Sequence, residues 1–192
     1  MKQFGKAFAK LLFSIVLVIS LFSHSVYAYP TIFHINVPIV QQAKSNWCWA
    51  ACGASLVNYC NGSSITQYNF SSTVKGNTTN DSTATMTELC DGLTHYGVHN
   101  HLISGIISFY TIQANSYGQS RPVLARWSWA DSSLPGHVVV INGFDTSIGS
   151  YVMYMNPSAS SYQVESYSYF VSNTYRHWTH TVDQIYSTLV SS

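Results

Sequence analysis

The chain has 192 residues, of which only 8% are Asp, Glu, Lys or Arg, and its formal net charge is +1. This charge balance provides no basic stripe, which argues against a protein that binds nucleic acid through phosphate contacts. The length suits one domain with a sizeable core.

The first 28 residues have the pattern of a secretory signal peptide. Lys2, Lys6 and Lys10 precede an apolar run over 11–22, and Val26-Tyr27-Ala28 is typical of a cleavage site. The run is shorter than the roughly 20 residues that span a bilayer, so an uncleaved membrane anchor is the less favoured alternative. We therefore predict cleavage after Ala28 and export to the periplasm or the medium, without stable membrane insertion.

The expected mature chain, residues 29–192, is predicted to form a single domain. Of the eight Lys and Arg residues in the sequence, three are in the signal peptide, which leaves five against seven Asp and Glu. The mature chain is therefore slightly acidic, and we expect no nucleic-acid partner.

The order of predicted elements is helices first and strands afterwards. Residues 29–40 are extended, and helices are predicted over 47–59 and 85–96. The polar segment 61–83 between them is predicted to be an irregular connection with a short helix at 65–74. A strand followed by a helical turn is expected over 102–110. Alternating apolar residues then predict four strands, over 123–127, 137–142, 151–155 and 162–167, with weaker alternation over 168–190. This order predicts an α+β fold in which N-terminal helices pack on a C-terminal antiparallel sheet.

Cys48 is a candidate nucleophile because the sequence places it in the first turn of the helix over 47–59. A helix N-terminus favours negative charge and therefore the reactive thiolate form of cysteine. The alternative is a structural residue, either half of a disulfide or a buried thiol.

Three further residues could complete a catalytic site. His137 begins a predicted strand, and Asn156 ends the next one, so a hairpin would bring the amide beside the imidazole. Asp145 is the rival partner, but it lies in the turn at the far end of that hairpin. Gln42 precedes Cys48 by six residues and could donate to an oxyanion, with Gln41 as its rival on composition.

These motifs together resemble the papain-like cysteine peptidases of bacteria, in particular the short branch of AvrRpt2-type effector proteases. The resemblance covers about residues 37–170 and rests on five pieces in order, which are Val37-Pro38, Gln42, Cys48-Trp49-Ala50-Ala51, Gly136-His137 and Asn156-Pro157. It implies a papain-like fold, with Cys48 as nucleophile, His137 as base and acid, Asn156 as its orienting partner and Gln42 in the oxyanion hole.

The sequence also departs from the papain pattern. Ser45-Asn46-Trp47 replaces the Cys-Gly-Ser or Cys-Gly-Ala lead, and 89 residues separate Cys48 from His137, against about 130–150 in papain. The effector branch often has Asp where this chain has Asn156. We therefore expect a trimmed fold with a smaller sheet.

The remaining cysteines and histidines lie outside these motifs. Export permits disulfides, and we favour a bridge between Cys60 and Cys90, with Cys52–Cys90 as the rival pairing. A cluster of three histidines, His95, His99 and His101, lacks an acidic or thiol ligand at a familiar spacing. We therefore expect neither a metal nor another cofactor.

The sequence thus predicts a secreted, monomeric cysteine endopeptidase, a hydrolase that acts on protein or peptide substrates through a thioester on Cys48. Two alternatives stay open. The same constellation serves cell-wall peptide amidases, transglutaminases and deamidases, and an exported binding module would use its cysteines only structurally.

Overall fold

The computed structural model describes residues 29–159 and 161–189. The predicted signal peptide, residues 1–28, lies outside the described residues. Within the described ranges, no helix is both long and apolar enough to cross a membrane.

Three helices form the N-terminal half, as the sequence predicts. They are α1 (Cys48–Asn61), α2 (Gln67–Lys75) and α3 (Met86–His95). Thr66 and Thr85 cap α2 and α3 through reciprocal capping boxes with Asn69 and Glu88, which satisfy backbone N–H groups that the first turn of a helix leaves unpaired. The ring of Phe70 in α2 packs directly against Gly53 of α1, in the space that a side chain at this position would occupy. The glycine therefore allows α1 and α2 to approach closely.

A seven-stranded antiparallel sheet forms most of the C-terminal half. The strands are β1 (Ile32–His34), β2 (Val98–Ser104), β3 (Val123–Trp129), β4 (His137–Asp145), β5 (Tyr151–Met155), β6 (Tyr162–Ser166) and β7 (Arg176–Ser187). Their order in the sheet is β2-β7-β3-β4-β5-β6, and β1 pairs with the end of β4. The predicted α+β class, with N-terminal helices packed on an antiparallel sheet, is confirmed.

The sheet buries apolar residues on both faces. One face packs against the three helices through Leu124, Val138, Val140 and Val182. Trp127, Ile141 and Phe170 pack on the opposite face, which is covered by the short helices α4 (Phe109–Gln113) and α5 (Tyr167–Val171) and a π-helical turn, Ala114–Gly118. Because successive residues of a strand point to opposite faces, β3 contributes to both cores.

The segment that the sequence describes least well is β7. This 12-residue strand lies between β2 and β3, yet only weak alternation marks it. The reason is that Thr181 and Asp183 are buried polar residues, paired with the Gly105 carbonyl and with His101. Gln184, at φ 52°, further interrupts the period-two pattern.

The predicted Cys60–Cys90 bridge is not formed, because all four cysteines are free thiols. The side chain of Asn61 donates to the Tyr96 carbonyl over 2.7 Å, so the end of α1 lies beside the end of α3. Cys90 lies about 9 Å further back along the α3 axis, at 1.5 Å per residue. Cys60 is at the end of α1, whereas Cys90 is in the first half of α3, and both are free thiols.

Candidate active site

Cys48 is the first residue of α1, and the residue is 8% exposed. Trp47 occupies the N-cap position without a side-chain hydrogen bond to the helix, so the first-turn N–H groups stay free for other acceptors. Burial raises the pKa of the Cys48 thiol. The N–H groups of Val138, Trp49 and Cys48 and the Arg126 charge lower it, but burial has the larger effect. The thiol is therefore neutral in this state, and the N–H groups face the sulfur ready to stabilise a thiolate.

His137 is the first residue of β4 and is 8% exposed. Its ring lies near-parallel to the rings of Trp127 and Trp129, with centroid separations of 6.0 and 6.1 Å. Its Nε2 atom lies 2.8 Å from Oδ1 of Asn156. The pKa of His137 is lowered, mainly by burial and to a smaller extent by the Arg176 charge. The hydrogen bond to Asn156 opposes this shift by raising the pKa.

The hydrogen bonds of Asn156 fix which nitrogen of His137 carries the proton. Oδ1 of Asn156 also accepts from the Ser158 N–H over 3.0 Å, so this atom is the amide oxygen and an acceptor. The imidazole must therefore donate from Nε2, and Nδ1 of the neutral ring is left as the unprotonated base.

Gln42 lies on the loop before α1 and is tied to the segment after Asn156. Its N–H donates to the Pro157 carbonyl over 2.8 Å, and its Oε1 accepts from Ser158 Oγ over 3.2 Å. Its Nε2 donates to the carbonyls of Lys44 and Ser45. The side-chain amide of Gln42 therefore lies at the site, but its N–H groups donate to the carbonyls of the loop that carries it.

Three of the four predicted site residues, Cys48, His137 and Gln42, line one cavity of about 1140 Å³. Asn156 stands behind His137 and holds the ring. The cavity runs between the helices and the sheet, and the N–H of Val138, next to His137, faces the sulfur of Cys48. The arrangement brings together a thiol, an imidazole base and an orienting amide, which suits nucleophilic acyl transfer.

The structure separates the rival candidates from this site. Asp145 ends β4, at the opposite end of that strand from His137, and its carboxylate accepts from Ser147 in the turn. Gln41 is exposed and does not line the cavity, to which Gln42 contributes. Cys52 is fully buried and donates to the Val138 carbonyl at 3.4 Å, as a core thiol does.

The histidine cluster of the sequence does not converge on one point. His101 pairs with Asp183 at 2.9 Å, whereas His99 contacts the Gln184 carbonyl and stacks on Tyr186. Within residues 29–159 and 161–189, no group of three or more His, Cys, Asp or Glu side chains could hold a metal ion.

Several residues at the site have no signal in the sequence. Arg126 and Trp129 reach the cavity because β3 pairs with β4, with Arg126 opposite Val138. Ser158 links Asn156 to Gln42 from a tight turn. The positions of Arg126 and Trp129 depend on the register of β3 and β4, which no motif specifies, whereas Ser158 lies two residues after Asn156.

Comparison with known proteins agrees with this geometry. Residues 31–175 match the family model described as papain-like cysteine protease AvrRpt2. The sequence has no significant match among curated proteins.

Two solved structures share the fold. The peptidase domain of Streptococcus ComA, a bifunctional ABC transporter of a quorum-sensing pathway, aligns with a TM-score of 0.62 at 18% identity, over 79% of this chain and 99% of that domain. Xylellain, a cysteine protease from Xylella fastidiosa, aligns with a TM-score of 0.61 at 12% identity, over 84% of this chain and 88% of its own.

Proposed function

Since the chain belongs to the family of papain-like cysteine proteases of the AvrRpt2 type, we propose that it is a secreted endopeptidase with Cys48 as nucleophile and His137 as base. The observation that carries the proposal is the 2.8 Å contact between His137 Nε2 and Asn156 Oδ1. It leaves Nδ1 unprotonated in a cavity that Cys48 also lines.

In the proposed reaction, His137 Nδ1 takes the thiol proton and the Cys48 sulfur attacks the carbonyl carbon of the substrate. The C–S bond forms, the carbonyl π electrons move to oxygen, and imidazolium balances the new negative charge. When the C–N bond breaks, imidazolium protonates the leaving amine. Water, deprotonated by the same nitrogen, then hydrolyses the thioester and restores the thiol.

The oxyanion of the tetrahedral intermediate needs preorganised donors. The Cys48 N–H at the helix N-terminus supplies one. In the proposal, Gln42 supplies the second after its amide turns away from the Lys44 and Ser45 carbonyls, to which it donates in this structure. Because its main chain stays bound to Pro157, the turn involves only the side chain.

The test is hydrolysis of a fluorescently labelled, denatured protein by the mature chain. We expect turnover by the wild type, none by Cys48→Ala or His137→Ala, and near-wild-type turnover by Cys52→Ala, a control thiol one helical turn away. Wild-type-like turnover in Cys48→Ala would refute the proposal. Turnover of peptidoglycan fragments in place of the denatured protein would favour the amidase alternative.

We also propose that the chain is exported and cleaved after Ala28. The support is the n-region, apolar run and cleavage pattern of residues 1–28. N-terminal sequencing of protein recovered outside the cytoplasm should begin at Tyr29. Recovery of the intact N-terminus in the membrane fraction would instead indicate an anchor.

A further inference from the structure

Arg126 brings a cation into the active-site cavity. It lies on β3 opposite Val138, whose N–H faces the Cys48 sulfur, and it lines the same cavity as Cys48 and His137. Its guanidinium packs over Gly136, where an added Cβ would lie 2.6 Å from Nη2. The glycine before His137 therefore leaves the space that the guanidinium occupies.

Within residues 29–159 and 161–189, the guanidinium of Arg126 has no acidic partner. Nη1 donates to two neutral hydroxyls, Ser128 Oγ at 2.8 Å and Thr179 Oγ1 at 3.0 Å. In the described part of the chain, the ion pairs involve Lys75, His101 and Arg176, and none includes Arg126. Among the described residues, the side-chain hydrogen bonds that Arg126 donates come from Nη1, and neither Nε nor Nη2 is a buried atom without a partner. Nε and Nη2 are therefore at least partly accessible from the cavity.

Among the described residues that line the cavity, no other charge neutralises this cation. Lys75 and Glu88 also line the cavity, but they pair with each other. His180 lies beside Arg126 on β7, and its pKa is lowered by burial and by the Arg126 charge. The cavity therefore presents one uncompensated positive charge, fixed by two hydroxyls, close to the nucleophile.

We propose that Arg126 is a specificity residue that binds a substrate carboxylate near the scissile bond, through the donors of its Nε and Nη2 atoms. A guanidinium presents two parallel N–H groups that match the two oxygens of a carboxylate. The carboxylate belongs either to an Asp or Glu side chain or to the C-terminus of a short peptide. This inference rests on the proposed peptidase function and names its substrate class.

The test uses matched peptide pairs that differ only in charge. One set carries Glu or Gln at successive positions on either side of the scissile bond, and another ends in a free carboxylate or an amide. We expect wild-type kcat/KM to favour the carboxylate by about tenfold at one position, the size of a charge-assisted hydrogen bond in a partly exposed site. A preference within the first set shows that Arg126 binds an Asp or Glu side chain. A preference within the second set shows that it binds the C-terminal carboxylate.

Arg126→Gln should reduce this preference to near unity, and Arg126→Lys should restore part of it. Arg121→Gln is the matched control, since Arg121 lies outside the cavity, bonded to Gln119 and over the Tyr186 ring. A wild type without preference, or a preference that survives Arg126→Gln, would overturn the proposal. An equal decrease in kcat/KM for both peptides of a pair in Arg126→Gln would also overturn the proposal. Arg126 would then act only on the Cys48 thiol.

Binding separates this inference from the peptidase function. Cys48→Ala lacks the proposed nucleophile, so Kd for each labelled peptide pair can be measured with this variant by fluorescence anisotropy, alone and combined with Arg126→Gln. If the wild type hydrolyses no peptide, the proposed function fails, and a carboxylate preference in Kd that Arg126→Gln abolishes still supports the subsite. Equal Kd values within each pair would reject it.

Discussion

At the scale of single residues, the site is a chain of hydrogen bonds that begins at His137. Asn156 accepts from His137 and from the Ser158 N–H, and the Ser158 hydroxyl reaches Gln42. One turn, 156–158, therefore links the proposed base to the proposed oxyanion donor. Most of these residues could be predicted because their motifs are local, whereas Arg126 could not, since its place depends on strand register.

The first prediction at this scale concerns Asn156 as a positioning residue. Asn156→Ala should lower kcat about 10- to 100-fold with little change in KM, because a buried hydrogen bond contributes ~1–3 kcal/mol to holding the ring. Asn156→Asp keeps the acceptor and should recover most of kcat. Steady-state kinetics on one peptide measures both variants, and wild-type kcat in Asn156→Ala would contradict the orienting role.

A second prediction follows from the lowered pKa of His137, which is due mainly to burial. A His in the unfolded chain has a pKa of about 6.5. When the pH falls below this value, the unfolded state binds a proton at His137 before the folded state does. The stability contribution is thus complete above pH ~6.5 and is lost as pH falls through the lowered folded-state pKa.

Thermal unfolding between pH ~8 and pH ~5 tests the direction of this pH dependence of stability. The Tm of the wild type should fall as the pH is lowered, and the Tm of His137→Gln should fall less steeply over the same range. His177→Gln, at an exposed position of β7, serves as the control and should follow the wild type. A His137→Gln profile parallel to that of the wild type would rule out this source of pH dependence.

At the scale of elements, the site lies where the N-terminus of α1 meets the start of β4. The sequence predicts both elements well, because their apolar runs are strong and local. It describes β7 poorly, since the strand buries Thr181 and Asp183 and pairs on both sides with strands distant in sequence. Such residues satisfy their polar groups through tertiary partners, which local patterns do not contain.

The packing of α1 on α2 gives a prediction about Gly53. An added Cβ would overlap the Phe70 ring, in a part of the core where Phe70 is fully buried. Gly53→Ala should therefore destabilise the fold by about 1–3 kcal/mol, the usual cost of overpacking. Urea unfolding measures it, with Gly118→Ala as the control, because nothing lies within 4 Å of a Cβ there. Equal midpoints for both variants would contradict this close approach.

At the scale of the whole molecule, the fold is a sheet with an apolar core on each face and needs no covalent bridge. Burial raises the pKa of Cys60 to about 12 and that of Cys90 to about 11, which keeps both as unreactive thiols near neutral pH. The sequence predicts a disulfide because residues 1–28 have the pattern of an export signal, whereas local sequence does not specify how the thiols of α1 and α3 lie relative to each other.

Thiol content tests this picture of the molecule. The mature protein, denatured without reductant, should release four titratable thiols, and reductant should leave its Tm unchanged. Two thiols and a Tm lowered by reductant would show instead that a bridge forms in the protein.

The most direct test of the central claim is the rate at which iodoacetamide modifies each cysteine of the native protein, followed by peptide mapping. Cys48 should react first, far ahead of Cys52, Cys60 and Cys90. His137→Ala should slow its modification about 10²-fold, the scale of general-base assistance. An unreactive Cys48, or a Cys48 whose rate does not depend on His137, would contradict its assignment as the nucleophile.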